Sequence, residues 1–278
     1  MNQNKVKILV ACHKPDKVYA NDVYTPIHVG RAVSTFKEEM SYMIGDDTGE
    51  NISEKNPYYS ELSAQYWAWK NLKDIDYVGL CHYRRYFQTE FTCNNINSIL
   101  GQKCDIVLAP TLGERYNIGD RLIRATCMED VFIFVQCLKK ISPEYYNTAI
   151  KVLSQNEVSP FNMFVMRKDL FNDFAKWQFD ILFEMEKHVK LSGYSRMRRV
   201  FGYVSEMMLT TYAIHNDLRV IYMPIVSMLG EESDIILNIN SGGRLRRFIN
   251  KHIITKGEFS FQGDDAIRIG LKNDGINI

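Results

Sequence analysis

The run His82-Tyr-Arg-Arg-Tyr-Phe87 follows directly on the apolar stretch Tyr77 to Cys81. In open α/β sheets ligands gather beyond the carboxyl ends of the strands, so His82, Arg84 and Arg85 stand where an anionic substrate would be met. Arginine forks match phosphate oxygens bidentately, which makes a nucleotide diphosphate a natural ligand. Alternation along an extended strand separates Arg84 from Arg85, so one arginine is expected to face the ligand and the other to brace a carboxylate. The plainer alternative is a solvated basic turn, which has no need of Tyr83, Tyr86 and Phe87 among the charges.

Three further groups have residue types suited to chemistry. Asn162 lies in the apolar run Phe161-Asn-Met-Phe-Val-Met166 after Pro160. A buried amide must find partners, and a sugar hydroxyl or the protein backbone would each serve. Glu206 ends Gly202-Tyr-Val-Ser-Glu206 and is followed by Met207, Met208 and Leu209. Such company suits a general base, while an acid in a first helical turn also favours the helix dipole. His13 and Lys14 follow the first apolar run, a position from which nucleotide-binding loops emerge in doubly wound sheets. Asn51, Lys55, Asn56, Tyr59 and Glu61 form a polar rim, and Arg196, Arg198 and Arg199 a second basic group suited to phosphate or an anionic surface.

The missing motifs narrow the chemistry. Neither G-x-G-x-x-G nor G-x-x-x-x-G-K-[ST] occurs, which disfavours a dinucleotide site or a P-loop. A metal-dependent sugar transferase would place Asp-x-Asp after such a strand, to hold a divalent ion against the diphosphate. The sole Asp-x-Asp, Asp74-Ile-Asp76, precedes the strand and reads as a structural turn, as does Asp46-Asp47. No metal ligand set and no cofactor are expected, with manganese as the ion to test. A phosphotransferase using His82 is a second enzymatic reading.

These residues need a scaffold. Lys5 to Cys12, Met40 to Ile44, Tyr77 to Cys81, Asp105 to Ala109, Pro160 to Arg167 and Arg219 to Ile225 read as strands. Between them, Tyr58 to Lys73, two segments within Met128 to Gln155 broken at Ser142-Pro143, Asp169 to Leu191 and Tyr203 to His215 carry helical spacing. Alternating strands and helices predict an α/β fold with a mostly parallel central sheet flanked by helices. Residues 1–240 are expected to form this domain and 241–278 a basic C-terminal extension. In the extension Arg244, Arg246, Arg247 and Lys251 alternate with Leu245, Phe248, Ile249 and Ile253, a pattern for an anionic membrane surface or a solvated helix.

With 278 residues, 46% of them hydrophobic, the chain can bury a substantial core. A net charge of +1 argues against a general nucleic-acid binder. Six cysteines without a C-x-x-C pair predict reduced thiols, and the polar N-terminus has no signal-like apolar run. A cytoplasmic protein is expected, in peripheral contact with the inner membrane face.

The chain resembles a bacterial family of capsular and exopolysaccharide glycosyltransferases catalogued as a domain of unknown function. Four landmarks carry the likeness: Ile8-Leu-Val-Ala-Cys-His-Lys14; Asn51 to Leu62 with Tyr66-Trp-Ala-Trp-Lys-Asn71; His82 to Phe87; and Phe161-Asn-Met-Phe164 with Gly202 to Glu206. The resemblance implies a GT-A-like nucleotide-sugar fold, with galactofuranose among the donor sugars. It further implies that Asn162 faces the donor sugar and that Glu206 is the acceptor base of an inverting transfer to a saccharide or polyprenyl-linked acceptor. On this reading His13, Lys14, Asn56, Glu61, Arg84, Arg85 and Asn162 bind the donor, and His82 assists the leaving group. Cationic groups would then offset the diphosphate charge where the metal-binding acids are replaced. A non-catalytic nucleotide-sugar or carbohydrate-binding assembly factor is the alternative from another class.

Overall fold

The computed structural model describes residues 4–101, 104–113, 116–228, 234–235, 259–261 and 264–278. The basic run from Arg244 to Ile254 lies outside the described residues.

Strand β1 (Val6–Cys12) runs through the middle of the main sheet, parallel to β2 (Tyr24–His28) on one side and β4 (Tyr77–His82) on the other. Beyond β2 lies the two-residue β3 (Ile44–Gly45), also parallel. On the far side of β4 comes β9 (Phe164–Arg167), antiparallel to both β4 and β6 (Ile106–Leu108), and β10 (Val220–Tyr222) closes that edge parallel to β6. The architecture is a mixed, mostly parallel α/β sheet along this path. A short ladder of β7 (Leu112–Gly113) and β8 (Glu157–Val158) stands apart.

Both faces of the sheet are covered, so its strands read as near-continuous apolar runs. Period-two alternation sends Leu9, Val78, Leu80, Ile106, Phe164 and Met166 into the larger core. There they meet the helices α2 (Leu62–Asn71), α4 (Ile118–Ala125), α5 (Met128–Ile141), α6 (Tyr146–Ser154), α7 (Lys168–Glu186) and α9 (Val200–His215). The intervening residues Ile8, Val10, Cys81, Val107 and Val165 face a smaller core with Tyr24, Met40, Phe91 and Ile96 of α3 (Ile96–Ile99). Near the C-terminus, Phe259 packs over Gly119, and α10 (Asp264–Asn273) buries Ile267 and Leu271 in the larger core. All six cysteines are free thiols, and no helix among the described residues is long and apolar enough to cross a membrane.

The strand and helix expectations hold for β1, β4, β6, β10 and the pair α5 and α6, which break at Ser142-Pro143. The differences lie around the site. Tyr24–His28 is a strand although it contains Pro26, and the Met40 to Ile44 run is mostly turn. The helix expected from Tyr58 is divided: α1 (Asn56–Tyr59) stops at Ser60, whose φ of 56° and ψ of −135° break the helix before α2 starts. Phe161 and Asn162 are a turn with φ of 73° and 53°, so β9 begins only at Phe164. Finally, His82 to Phe87 folds back on itself: β4 ends at His82, and β5 (Arg85–Phe87) returns antiparallel with Arg85 opposite His82. Strand β11 (Ile225–Met228) pairs with β5 and, in turn, with β12 (Asp234–Ile235).

Candidate active site

The carboxyl ends of β1 and β4 and the amino end of antiparallel β9 meet at one sheet edge, where a cleft of about 780 Å³ opens against α1, α4, α8 (Ser195–Arg198) and α9. His13, Asn56, Glu61, His82, Arg84, Arg85 and Glu206 all border it. Lys14 stands beside His13 outside the lining, and Asn162 lies behind the wall.

The hairpin determines what the His82 to Phe87 cluster can do. Residues opposite one another in an antiparallel pair project from the same face, so His82 and Arg85 are neighbours. Both meet Phe161: the Arg85 guanidinium lies 4.3 Å from the ring centroid, and His82 Nε2 sits 2.7 Å from the Phe161 carbonyl oxygen. A carbonyl only accepts, so Nε2 carries a proton and donates it. Arg84, in the turn, donates from Nε and Nη2 to Asp16 Oδ2 at 2.9 and 2.8 Å. Burial opposes ionisation of Asp16, yet the Arg84 bonds and charge hold its carboxyl below the ordinary range. Arg84 is the arginine that braces a carboxylate, and among the described residues Arg85 meets none.

Asn162 is fully buried and makes no lining contact. Its Nδ2 donates to Glu61 Oε1 at 2.6 Å and to the Gly202 carbonyl at 3.2 Å, and its Oδ1 accepts from Ser205 Oγ at 2.8 Å. The amide thereby aims the Glu61 carboxylate into the cleft. Asn56 braces the neighbouring turn, donating to the Ser60 carbonyl at 2.7 Å and to Ser63 Oγ at 3.0 Å. Gly202 allows α9 to approach this turn, because a Cβ there would stand 3.0 Å from Ser60 Oγ. Arg199, between α8 and α9, donates from Nε to Ser60 Oγ at 3.0 Å, and its Nη2 is 4.0 Å from Glu61 Oε2. Of the second basic group Arg199 and Arg198 line the cleft, whereas Arg196 donates to the Arg124 and Ala125 carbonyls.

Glu206 sits in the second turn of α9 with its side chain only 14% exposed. Burial, reinforced by the Glu61 charge, pushes its pKa up to about 7 against the pull of Arg121 and of the Phe161 backbone N–H. Arg121 Nη2 donates to Glu206 Oε2 at 3.1 Å. Glu61 apart, the other charged side chains of the cleft are cationic, and His13 has a pKa below the imidazole range through burial and then through the neighbouring Lys14, Arg199, Arg84 and His82. Reading the sequence does not find Arg121; the available signal is a cation on the same stripe of α4 as Ile118, Leu122 and Ala125. Asp16 is likewise absent from the sequence expectations, although it lies in the loop that follows β1.

The donor set does not suit a metal. Beyond β4 stand His82 and two arginines, and the nearby Asp16 is held by Arg84. Asp46 is a buried latch that accepts from the Gly30 and Arg31 backbone N–H groups at 2.8 and 3.1 Å and from the Ser53 hydroxyl. Asp76 accepts from the Lys5 backbone N–H at 2.8 Å, at the opposite edge of the sheet. Among the described residues no group of three or more His, Cys, Asp or Glu is placed to hold an ion.

The structure of the WbbM bifunctional glycosyltransferase in its apo form superposes with a TM-score of 0.72 and is 29% identical in sequence. The alignment covers 82% of this chain and 46% of that one, so this chain spans about half the length of its structural relative. No curated protein matches the sequence. A family model described as a domain of unknown function, DUF4422, matches residues 7–217, a span that includes β1, β4, β9 and α9 around the cleft. The chain belongs to the DUF4422 family.

Proposed function

We propose that the cleft is the active site of a glycosyltransferase that moves a sugar from a nucleotide-diphosphate donor to a saccharide hydroxyl. The observation that carries this reading is Glu206, a secluded carboxylate with a pKa of about 7 on the wall of a cleft whose other charged side chains, Glu61 apart, are cationic. A base tuned near neutrality can accept the proton of an acceptor hydroxyl. The acceptor oxygen then bonds to the anomeric carbon as the bond from that carbon to the diphosphate oxygen breaks. The electron pair leaves with the nucleoside diphosphate, and a single displacement of this kind inverts the anomeric centre. Arg85 and Arg199 offset the departing charge, with His82 beside them to orient the leaving group, so the step is assigned without a divalent ion. Arg84, with Asp16, sets the hairpin that presents Arg85.

The GT-A-like fold and the glycosyltransferase relative support the reaction class. Galactofuranose as donor, a polyprenyl-linked or capsular acceptor and peripheral contact with the inner membrane face belong to the proposal through the family resemblance. The test combines a thermal-shift panel of nucleoside diphosphates and their sugars with transfer assays. A donor at a hundred times its Kd should stabilise the chain by about 2.7 kcal/mol. Glu206→Gln should keep that stabilisation while transfer falls about 10²–10⁴-fold. Wild-type transfer by Glu206→Gln would refute the assignment, and donor binding without turnover across acceptors would favour an assembly factor.

A further inference from the structure

Beside the main cleft lies a second, smaller pocket of about 50 Å³. Its walls come from two helical stripes. Ile118, Leu122 and Ala125 stand at i, i+4 and i+7 on α4, and Met207 of α9 and Val158 of β8 complete the apolar wall. Ile118, Leu122, Val158 and Met207 are buried, so the interior is apolar. Arg121, Tyr203 and Glu206 line both spaces, and the Arg121–Glu206 pair spans α4 and α9 where they join. A substrate whose hydroxyl reaches Glu206 therefore lies against side chains that also wall this pocket.

We infer that the pocket is an acceptor subsite for a small apolar substituent, the methyl of a 6-deoxy sugar or of an N-acetyl group, carried next to the attacking hydroxyl. This rests on the assignment of Glu206 as the base that receives that hydroxyl. The volume exceeds what one water needs and matches a group of one or two carbons. A hydroxymethyl would carry a hydroxyl past Arg121, Tyr203 and Glu206 into the part of the pocket walled by Ile118, Leu122, Ala125, Val158 and Met207, whose side chains offer it no hydrogen-bond partner. A methyl meets only apolar walls. An occupant also excludes water from Glu206, preserving the seclusion that suits the carboxylate to neutral pH.

Saturation-transfer NMR tests this with sugars that differ at one position: D-fucose against D-galactose, L-fucose against L-galactose, and N-acetylgalactosamine against N-formylgalactosamine. The first two pairs isolate the C6 methyl, and the third isolates the acetyl methyl. At least one methyl-bearing sugar should bind about fourfold or more tightly than its partner, with the strongest saturation on that methyl. Ala125→Leu fills the pocket and should abolish the preference while leaving nucleoside diphosphate stabilisation unchanged. Should that variant fail to fold, Ala125→Ser, which adds one polar atom, should weaken the preference. Equal binding within every pair, or a preference that survives a folded pocket variant, overturns the subsite. Absence of nucleotide stabilisation in the wild-type chain overturns the transferase reading instead, and the two failures appear in separate experiments.

Discussion

Asn162 holds Glu61 from behind the cleft wall, its Nδ2 lying 2.6 Å from Glu61 Oε1 while its Oδ1 accepts from Ser205. Three distant segments thus converge on one buried amide. Asn162→Ala leaves Glu61 without its donor and should cost about 1–3 kcal/mol in denaturant unfolding. Because Asn162 has φ of 53°, Asn162→Gly should be less destabilising than Asn162→Ala by about 1 kcal/mol, which separates the backbone contribution from the side-chain one.

The pKa of Glu206 sets a pH dependence with two opposite signs. As a base it acts only when ionised, so transfer should rise with pH through about 7 and then level off. Stability runs the other way. A carboxyl whose pKa is higher in the folded chain binds its proton more tightly there, so its contribution is complete below the ordinary value of 4.5 and is lost as pH rises through about 7. Glu206→Gln should remove this decline, and its Tm should match or exceed that of the wild type above pH 7.

Arg121 draws the Glu206 pKa down. Arg121→Met removes that attraction while retaining an apolar stem, so the rising limb of the pH–rate profile should move to higher pH. The shift should appear with donor affinity unchanged; an unmoved limb would limit Arg121 to bridging α4 and α9.

The cleft arginines should separate by partner. Arg85→Ala and Arg199→Ala each remove a proposed diphosphate contact, and should weaken nucleoside diphosphate binding about 10- to 100-fold by calorimetry. Arg84→Ala should act through the hairpin, and Asp16→Ala should reproduce its effect, because the two side chains form one unit.

Transfer should survive chelation. Activity in EDTA equal to that with manganese would agree with a leaving-group charge met by side chains, whereas loss on chelation and recovery with manganese would overturn the metal-free assignment.

The sequence is most legible where apolar periodicity is strong. The first strand, the strand before His82 and the helices flanking Ser142-Pro143 follow directly from it. His82 to Phe87 is recognisable as a site by residue type, but its shape is hidden: nothing local in Tyr83-Arg84 marks a two-residue reversal, and the return strand is held by β11, more than 130 residues away. Pro26 conceals β2 because proline lowers the expectation of a strand that burial then stabilises. The position of Asn162 depends on Ser205 and Glu61, partners that only the tertiary fold supplies. Arg121 escapes because its partner is 85 residues away.

Phe161 has φ of 73°, a conformation that a bulky side chain adopts at a cost of about 1–2 kcal/mol. Its ring underlies Arg85 and its carbonyl accepts from His82, so the groups that depend on it are those proposed to meet the leaving phosphate. Glycine at this position would relax the backbone and remove the ring. The strain is thus held in place by the ring's packing on the smaller core, and a change that relaxes this backbone also takes away the surface on which Arg85 rests.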